Sequence, residues 1–206
     1  MNIDAIMRMA PVIPVLVIDE GGVDPVGLAE TLVENGLPVI EVTLRTSGAL
    51  TAIKAMSSVR GAVVGAGTVL DGDQLDHAID ASANFIVSPG LTDTLGRAAV
   101  GNGVPFLPGV TNSGDIMRGM ELGLDRFKFF PAEASGGLRA LKALAGPFHQ
   151  ARFCPTGGIT LATAPDWLAD PAVLCVGGSW IVPKGERDLG RIAALARAAS
   201  QLRATA

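Results

Sequence analysis

Eight short apolar runs recur along the chain at intervals of about 20 to 26 residues, which leaves room for one helix between successive strands. They are VIPVLVI (12–18), PVIEVTL (38–44), AVVGAGTV (62–69), FIVSPG (85–90), PFLPGV (105–110), RFKFFPA (126–132), RFCPTGG (152–158) and VLCVGGSW (173–180). The segments between them show helical apolar spacing and helical start signals: DPVGLAETLVENG, SGALTAIKAMSSV, DGDQLDHAIDAS, TDTLGRAAVGNG, NSGDIMRGMELG and GGLRALKALAG. Several close on Gly or Asn-Gly, as a helix C-cap does. Strand and helix alternating until there are eight strands predict an α/β fold, a closed (β/α)8 TIM barrel near the lower size limit of that architecture at 206 residues. An open doubly wound sheet fits less well, because the glycine-rich turns do not follow the first strand as a dinucleotide site requires. No linker or composition shift divides the chain. Residues 1–206 are therefore expected to form a single barrel domain, with MNIDAIMRMA as an N-terminal capping helix and ERDLGRIAALARAASQLRA as the last helix.

Composition agrees with a sheet covered on both faces. Hydrophobic residues make up 49% of the chain and the mean hydropathy is +0.41. Yet no apolar run approaches the roughly 18 uninterrupted residues of a membrane span, so the surplus must be internal, as in parallel sheets flanked by helices. The first ten residues carry an acid and lack the basic-then-apolar order of a signal peptide, which makes the cytoplasm the expected location. Cys154 and Cys175 lie on separate strand-like runs without CxxC spacing and are expected as buried free thiols. A net charge of −4 with no basic block argues against a nucleic-acid surface. His77 and His149 are isolated and expected at the surface. No cluster of His, Cys or carboxylates has metal-ligand spacing, so the expected site is free of metal and cofactor.

Alternation along the strands picks out two charged residues. In VIEVTLR, Ile40, Val42 and Leu44 form an apolar set suited to lie beneath the helices, which turns Val39, Glu41, Thr43 and Arg45 into the barrel. In RFKFFPA the same rule sends Phe127 and Phe129 outward and Arg126, Lys128 and Phe130 inward. Burying an unpaired ammonium is expensive, so Lys128 must find a partner or a use. Glu41 enters the same enclosure from another strand, near the carboxyl ends where barrel enzymes place their chemistry. An amine in an apolar pocket is an activated nucleophile that condenses with a ketone to a Schiff base. A nearby carboxylate can then move protons. Lys54, Lys142 and Lys184 fall in helices or loops and read as solvated.

The seventh and eighth runs end in paired glycines, CPTGGIT and VGGSW, where this fold places a phosphate site. Gly157, Gly158, Gly177 and Gly178 offer bare backbone N–H groups, with the Ser179 hydroxyl beside them. Arg45, at the end of the second run, is suited to grip a carboxylate through paired donors, and Thr68 in GAGTV reaches the same rim.

The motifs IEVTLRT, GAGTV, SPGLT, FKFFPAE, GPF, FCPTGGI and GGSW, in this order, closely resemble the bacterial 2-keto-3-deoxy-6-phosphogluconate (KDPG) aldolases, class I aldolases with a (β/α)8 barrel. The likeness runs from about residue 12 to about residue 183. The resemblance implies that Lys128 forms the Schiff base and Glu41 moves the proton in cleavage and in enamine protonation. It implies that Arg45 and Thr68 hold the pyruvate carboxylate and that Thr156 contacts substrate hydroxyls. Pro89 and Phe130 shape the pocket, and Gly157, Gly158, Gly177, Gly178 and Ser179 bind phosphate. It further implies a phosphorylated keto acid as substrate, pyruvate and glyceraldehyde 3-phosphate as products, a homotrimer, and a place in the Entner–Doudoroff pathway. Unlike some relatives, VLVIDE carries no basic residue at the end of the first run. Two other readings use the same residues or fewer. Cleavage of 4-hydroxy-2-oxoglutarate or of 2-keto-3-deoxy-6-phosphogalactonate needs the same lysine and acid; a non-catalytic sugar-phosphate-binding barrel needs neither.

Overall fold

A computed structural model describes residues 1–202. Its strands are β1 (Val12–Leu16), β2 (Val39–Thr43), β3 (Val63–Gly67), β4 (Phe85–Val87), β5 (Phe106–Leu107), β6 (Gly109–Val110), β7 (Arg126–Phe129), β8 (Arg152–Pro155) and β9 (Val176–Gly178). Its helices are α1 (Ile3–Met7), α2 (Pro25–Glu34), α3 (Ala49–Met56), α4 (Gly72–Asp80), α5 (Asp93–Asn102), α6 (Ser113–Glu121), α7 (Gly137–Ala145), α8 (Ala164–Leu168) and α9 (Leu189–Ser200). Side-chain oxygens of Asp24, Asp71, Thr92 and Asn112 accept the first free N–H groups of α2, α4, α5 and α6.

The strands form a curled parallel sheet of six, in the order β5-β4-β3-β2-β1-β9, and a second parallel sheet of three, β6-β7-β8. The fifth expected strand is two, because Pro108 has no N–H to give to a ladder and interrupts the run. Its carbonyl still accepts from Lys128 N at 2.8 Å, which fixes β7 beside the break. At the other edge, isolated bridges pair Phe153 with Val173 and Thr156 with Gly177.

Two buried clusters divide the apolar side chains. The larger lies between strands and helices and includes Ile40, Val42, Phe127, Phe129, Phe153 and Trp167. Phe127 and Phe129 thus point as alternation predicts, and full burial of one such ring stabilises the fold by about 1.5–3 kcal/mol. The smaller cluster joins Ile13, Val39, Phe85, Val87 and Leu107 to Ile6 and Met7 of α1. Cys154 and Cys175 belong to it as buried free thiols. A hydrogen bond with Cys154, and then burial, pushes the Cys175 thiol well above its ordinary value.

Two further details depart from the sequence reading. The connection from β8 to β9 holds a helix, α8, which the sequence reading does not foresee: it spans five residues, with Pro165 in its first turn, too short for an amphipathic period. The last helix begins at Leu189 rather than Glu186, because the Asp188 side chain accepts from Gly190 N and Arg191 N at 2.8 and 3.2 Å and so caps it there. Its expected end at Arg203 and Ala204 lies outside the described residues.

Candidate active site

Lys128 extends from β7 and Glu41 from β2, and they meet on the concave side of the strands. Lys128 Nζ donates to Glu41 Oε1 at 2.9 Å and lies 3.2 Å from Oε2. The two side chains are 5% and 4% exposed. Among the described residues the buried polar side chains are Glu41, Thr43, Ser88, Lys128 and Thr156, so this ion pair carries the charge of the enclosure. Removing one partner of such a pair leaves the other buried and uncompensated, a loss of about 3–5 kcal/mol. The ammonium also lies over the Phe130 ring, 5.3 Å from its centroid.

Glycines on the neighbouring strands make the room. β2 pairs with β3 so that Glu41 stands opposite Gly65 and Thr43 opposite Gly67. A side chain at Gly67 would collide with the Glu41 carboxylate, and one at Gly65 with the Phe85 ring. The next residue, Thr68, is half-buried at φ 60°, a left-handed conformation that costs a β-branched residue energy and that surrounding structure must impose. Gly109, the register partner of Lys128, packs its bare Cα on the Pro89 carbonyl. Thr156, buried, fills the space above Gly177. Its hydroxyl has the Cys154 carbonyl 3.4 Å away as an acceptor.

Gly157 and Gly158 both take left-handed φ values, 105° and 82°, which only glycine adopts cheaply. A Cβ on Gly157 would sit 3.5 Å from Phe130, so this turn borders the lysine pocket. The structure therefore gathers Glu41, Lys128, Phe130, Pro89, Thr156, Gly157 and Gly177 through a chain of contacts. The other five expected residues are not drawn in by contact: Arg45 is exposed just past β2, Thr68 follows Gly67 at the end of β3, Gly158 lies under the Glu133 stem, Ser179 is exposed just past β9, and Gly178 packs against the Trp180 ring. Lys54, Lys142, Lys184, His77 and His149 are exposed. Among the described residues no group of three or more His, Cys, Asp or Glu is placed to hold a metal ion, and no helix is long and apolar enough to cross a membrane.

Sequence reasoning assigned no task to Gly65, Gly67 or Gly109. The signal was there for two of them, since alternation turns Gly65 and Gly67 to the same side as Glu41. Arg126, expected to face inward, does lie on the Lys128 face, but its guanidinium is bound by Asp4 of α1 and by Asp125, and it takes no part in the site.

The family model of KDPG and KHG aldolases matches residues 3–195. The sequence is 58% identical over 205 residues to the 2-dehydro-3-deoxy-phosphogluconate aldolase of Zymomonas mobilis, covering 100% of this chain and 98% of that one. The fold is similar to the crystal structure of 2-keto-3-deoxy-6-phosphogluconate aldolase of Zymomonas mobilis with 3-phosphoglycerate. There the TM-score is 0.95 and the identity 56%, with 99% and 97% of the two chains covered. It is also similar to a KDPG aldolase from Legionella pneumophila with pyruvate captured at low pH as a covalent carbinolamine intermediate. In that case the TM-score is 0.92 and the identity 41%, with 97% and 98% covered.

Proposed function

The chain belongs to the KDPG and KHG aldolase family, and from that premise we propose that it cleaves 2-keto-3-deoxy-6-phosphogluconate to pyruvate and glyceraldehyde 3-phosphate through a Schiff base on Lys128. The observation that carries this reading is the buried contact of 2.9 Å between Lys128 Nζ and the Glu41 carboxylate. A dry enclosure with one amine and one acid has what the reaction needs, and it needs no metal or cofactor.

Glu41 takes a proton from Lys128, and the free amine attacks the C2 carbonyl to give a carbinolamine. Glu41 returns its proton to the carbinolamine hydroxyl, which departs as water and leaves an iminium with Glu41 ionised again. Glu41 then accepts the proton of the C4 hydroxyl while the C3–C4 bond breaks. Its electron pair moves into the iminium to give an enamine, and glyceraldehyde 3-phosphate departs. The same carboxyl returns a proton to C3, and water releases pyruvate and restores the amine.

Arg45 and Thr68 hold the carboxylate next to the reacting ketone, Thr156 meets the substrate hydroxyls, and Pro89 and Phe130 bound the pocket. The phosphate rests on backbone N–H groups of Gly157, Gly158, Gly177 and Gly178 with the Ser179 hydroxyl. The left-handed turn at Gly157 and Gly158, open beside Phe130, supports that placement. The same reading joins both sheets into one closed (β/α)8 barrel in a single domain, with α1 as its cap. It is supported by the run of β5 through Pro108 into β6, by the bridges from β8 towards β9, and by Ile6 and Met7 on the inner cluster. Three copies assemble in the cytoplasm, for which exposed Leu70, Val100 and Met117 supply apolar surface, and sedimentation of the purified chain at the mass of a trimer checks it.

Pyruvate and borohydride test the chemistry. A reduced adduct is expected on Lys128 and on no other lysine; an adduct elsewhere, or none, overturns the reading. Comparing kcat/KM on the phosphorylated gluconate, its galactonate epimer and 4-hydroxy-2-oxoglutarate fixes the substrate, with the first expected to lead.

A further inference from the structure

Glu133 follows Phe130 in the turn between β7 and α7, and the mechanism gives it no task. Its surroundings are specific. Its backbone N–H donates to the Gly157 carbonyl at 3.1 Å, next to the bond from Ala132 N to Thr156 O at 2.8 Å. Its stem lies flat on Gly158, where an added Cβ would come within 2.7 Å of Glu133 Cγ and 2.8 Å of Cβ. Its Oε1 accepts from Trp167 Nε1 at 3.1 Å. Trp167 is 2% exposed on α8, the helix that this glycine turn leads into. Glu133 therefore touches the connection from β8 to α8 at both ends.

Two consecutive glycines in left-handed conformations are soft, because each has more backbone freedom than any other residue. Something must hold them if their N–H groups are to point at one place. The backbone bonds from Ala132 and Glu133 do part of this, and the Glu133 stem closes the space over Gly158. That stem is held in turn by the Trp167 N–H, a buried donor for which Glu133 is the acceptor. The charge itself works against the loop, since a carboxylate beside an anion site repels the anion. What the loop uses is the shape of the stem and the acceptor oxygen.

We propose that Glu133, anchored by Trp167, is a positioning residue that fixes the Gly157–Gly158 turn and so sets the affinity for the phosphate end of the ligand. This rests on the reading that the turn holds phosphate. Four proteins test it: wild type, Glu133→Ala, Glu133→Gln and Trp167→Phe. Two measurements separate the phosphate end from the lysine end: the inhibition constant of 3-phosphoglycerate in the cleavage assay, and half-saturation by pyruvate in borohydride trapping.

Displacing the turn should raise the inhibition constant about tenfold in Glu133→Ala and in Trp167→Phe, while pyruvate trapping keeps its wild-type half-saturation. Glu133→Gln, which keeps stem and acceptor, should bind 3-phosphoglycerate at least as tightly as wild type. Combining Glu133→Ala with Trp167→Phe should add little to either alone, because both cut one tie. Trp167→Phe removes the N–H donor and keeps a smaller aromatic ring at the position, and its unchanged pyruvate trapping reports an intact fold, so it carries the test if Glu133→Ala does not fold. Unchanged inhibition in Glu133→Ala or Trp167→Phe overturns the inference, as does an equal loss of pyruvate trapping. Weak binding by Glu133→Gln overturns it too, because the charge would then be what matters. If 3-phosphoglycerate does not inhibit the wild type, the phosphate reading falls and takes this inference with it; inhibition of the wild type with no change in the variants defeats the inference alone.

Discussion

Arg126 and Lys128 stand two residues apart on β7 and face the same side of it, yet they live in different worlds. Arg126 opens the strand. Its guanidinium, 16% exposed at the side chain, meets Asp4 of α1 at 2.6 Å and Asp125 at 2.9 Å. Lys128, one pleat further along, is 5% exposed and meets a single acid from β2. The first cation has two carboxylates and solvent, so its charge is satisfied and inert. The second has one carboxylate and no solvent, so its proton has one place to go. The difference teaches that depth along the strand, and not only the face, decides whether a buried-side cation is structural or reactive.

The strongest attempt to break this contrast is Lys128→Arg, which keeps the charge and removes the nucleophile. Cleavage should fall to background and the pyruvate adduct should vanish from mass spectra after borohydride, whereas Arg126→Lys should retain both. Glu41→Gln comes next: kcat should fall about 10²–10⁴-fold, with pyruvate still trapped on Lys128. Full turnover by that variant would remove Glu41 as the proton carrier. Gly67→Ala crowds the carboxylate without touching lysine, and should lower kcat by roughly 10²-fold and stability by about 1–3 kcal/mol, read by single-turnover kinetics and urea titration.

The smallest effect belongs to the inert end. Hydrogen bonds from Arg8, and then from Arg126, hold the Asp4 carboxyl below its ordinary value of 3.8, with burial opposing them. Its folded value is therefore the lower one, so the stabilisation is present above the unfolded value and lost as pH falls below about 3.8. Because the pair is partly exposed, Asp4→Asn should cost only about 0–1 kcal/mol near neutral pH, and the gap from wild type should close in acid melts. Activity should stay at the wild-type level.

The alternation of VIEVTLR and RFKFF made Glu41 and Lys128 legible, since in each run one face is wholly apolar and the other has to carry the charge. It could not separate Arg126 from Lys128, because a period of two contains no depth. Nor could it say that Pro108 splits a strand, as proline is tolerated where a ladder bond is absent and Pro14 sits within β1 undisturbed. The short helix α8 had too few residues to show a period. The task of Gly67 was hidden for another reason: a glycine in a strand reads as weakness until its neighbour across the ladder is known to lean into the gap. Glu133 was hidden likewise, because its partners lie on α8 and in the glycine turn, far along the chain.

Glu41 fills the place where a side chain at Gly67 would stand. Positions 41 and 67 thus share one allotment of volume, and neither can drift alone. A protein engineer wishing to move the acid to the adjacent strand would have to exchange the pair together, shrinking one as the other grows. Inheritance faces the same constraint, so the acid at position 41 is tied to a neighbour that has no chemistry of its own.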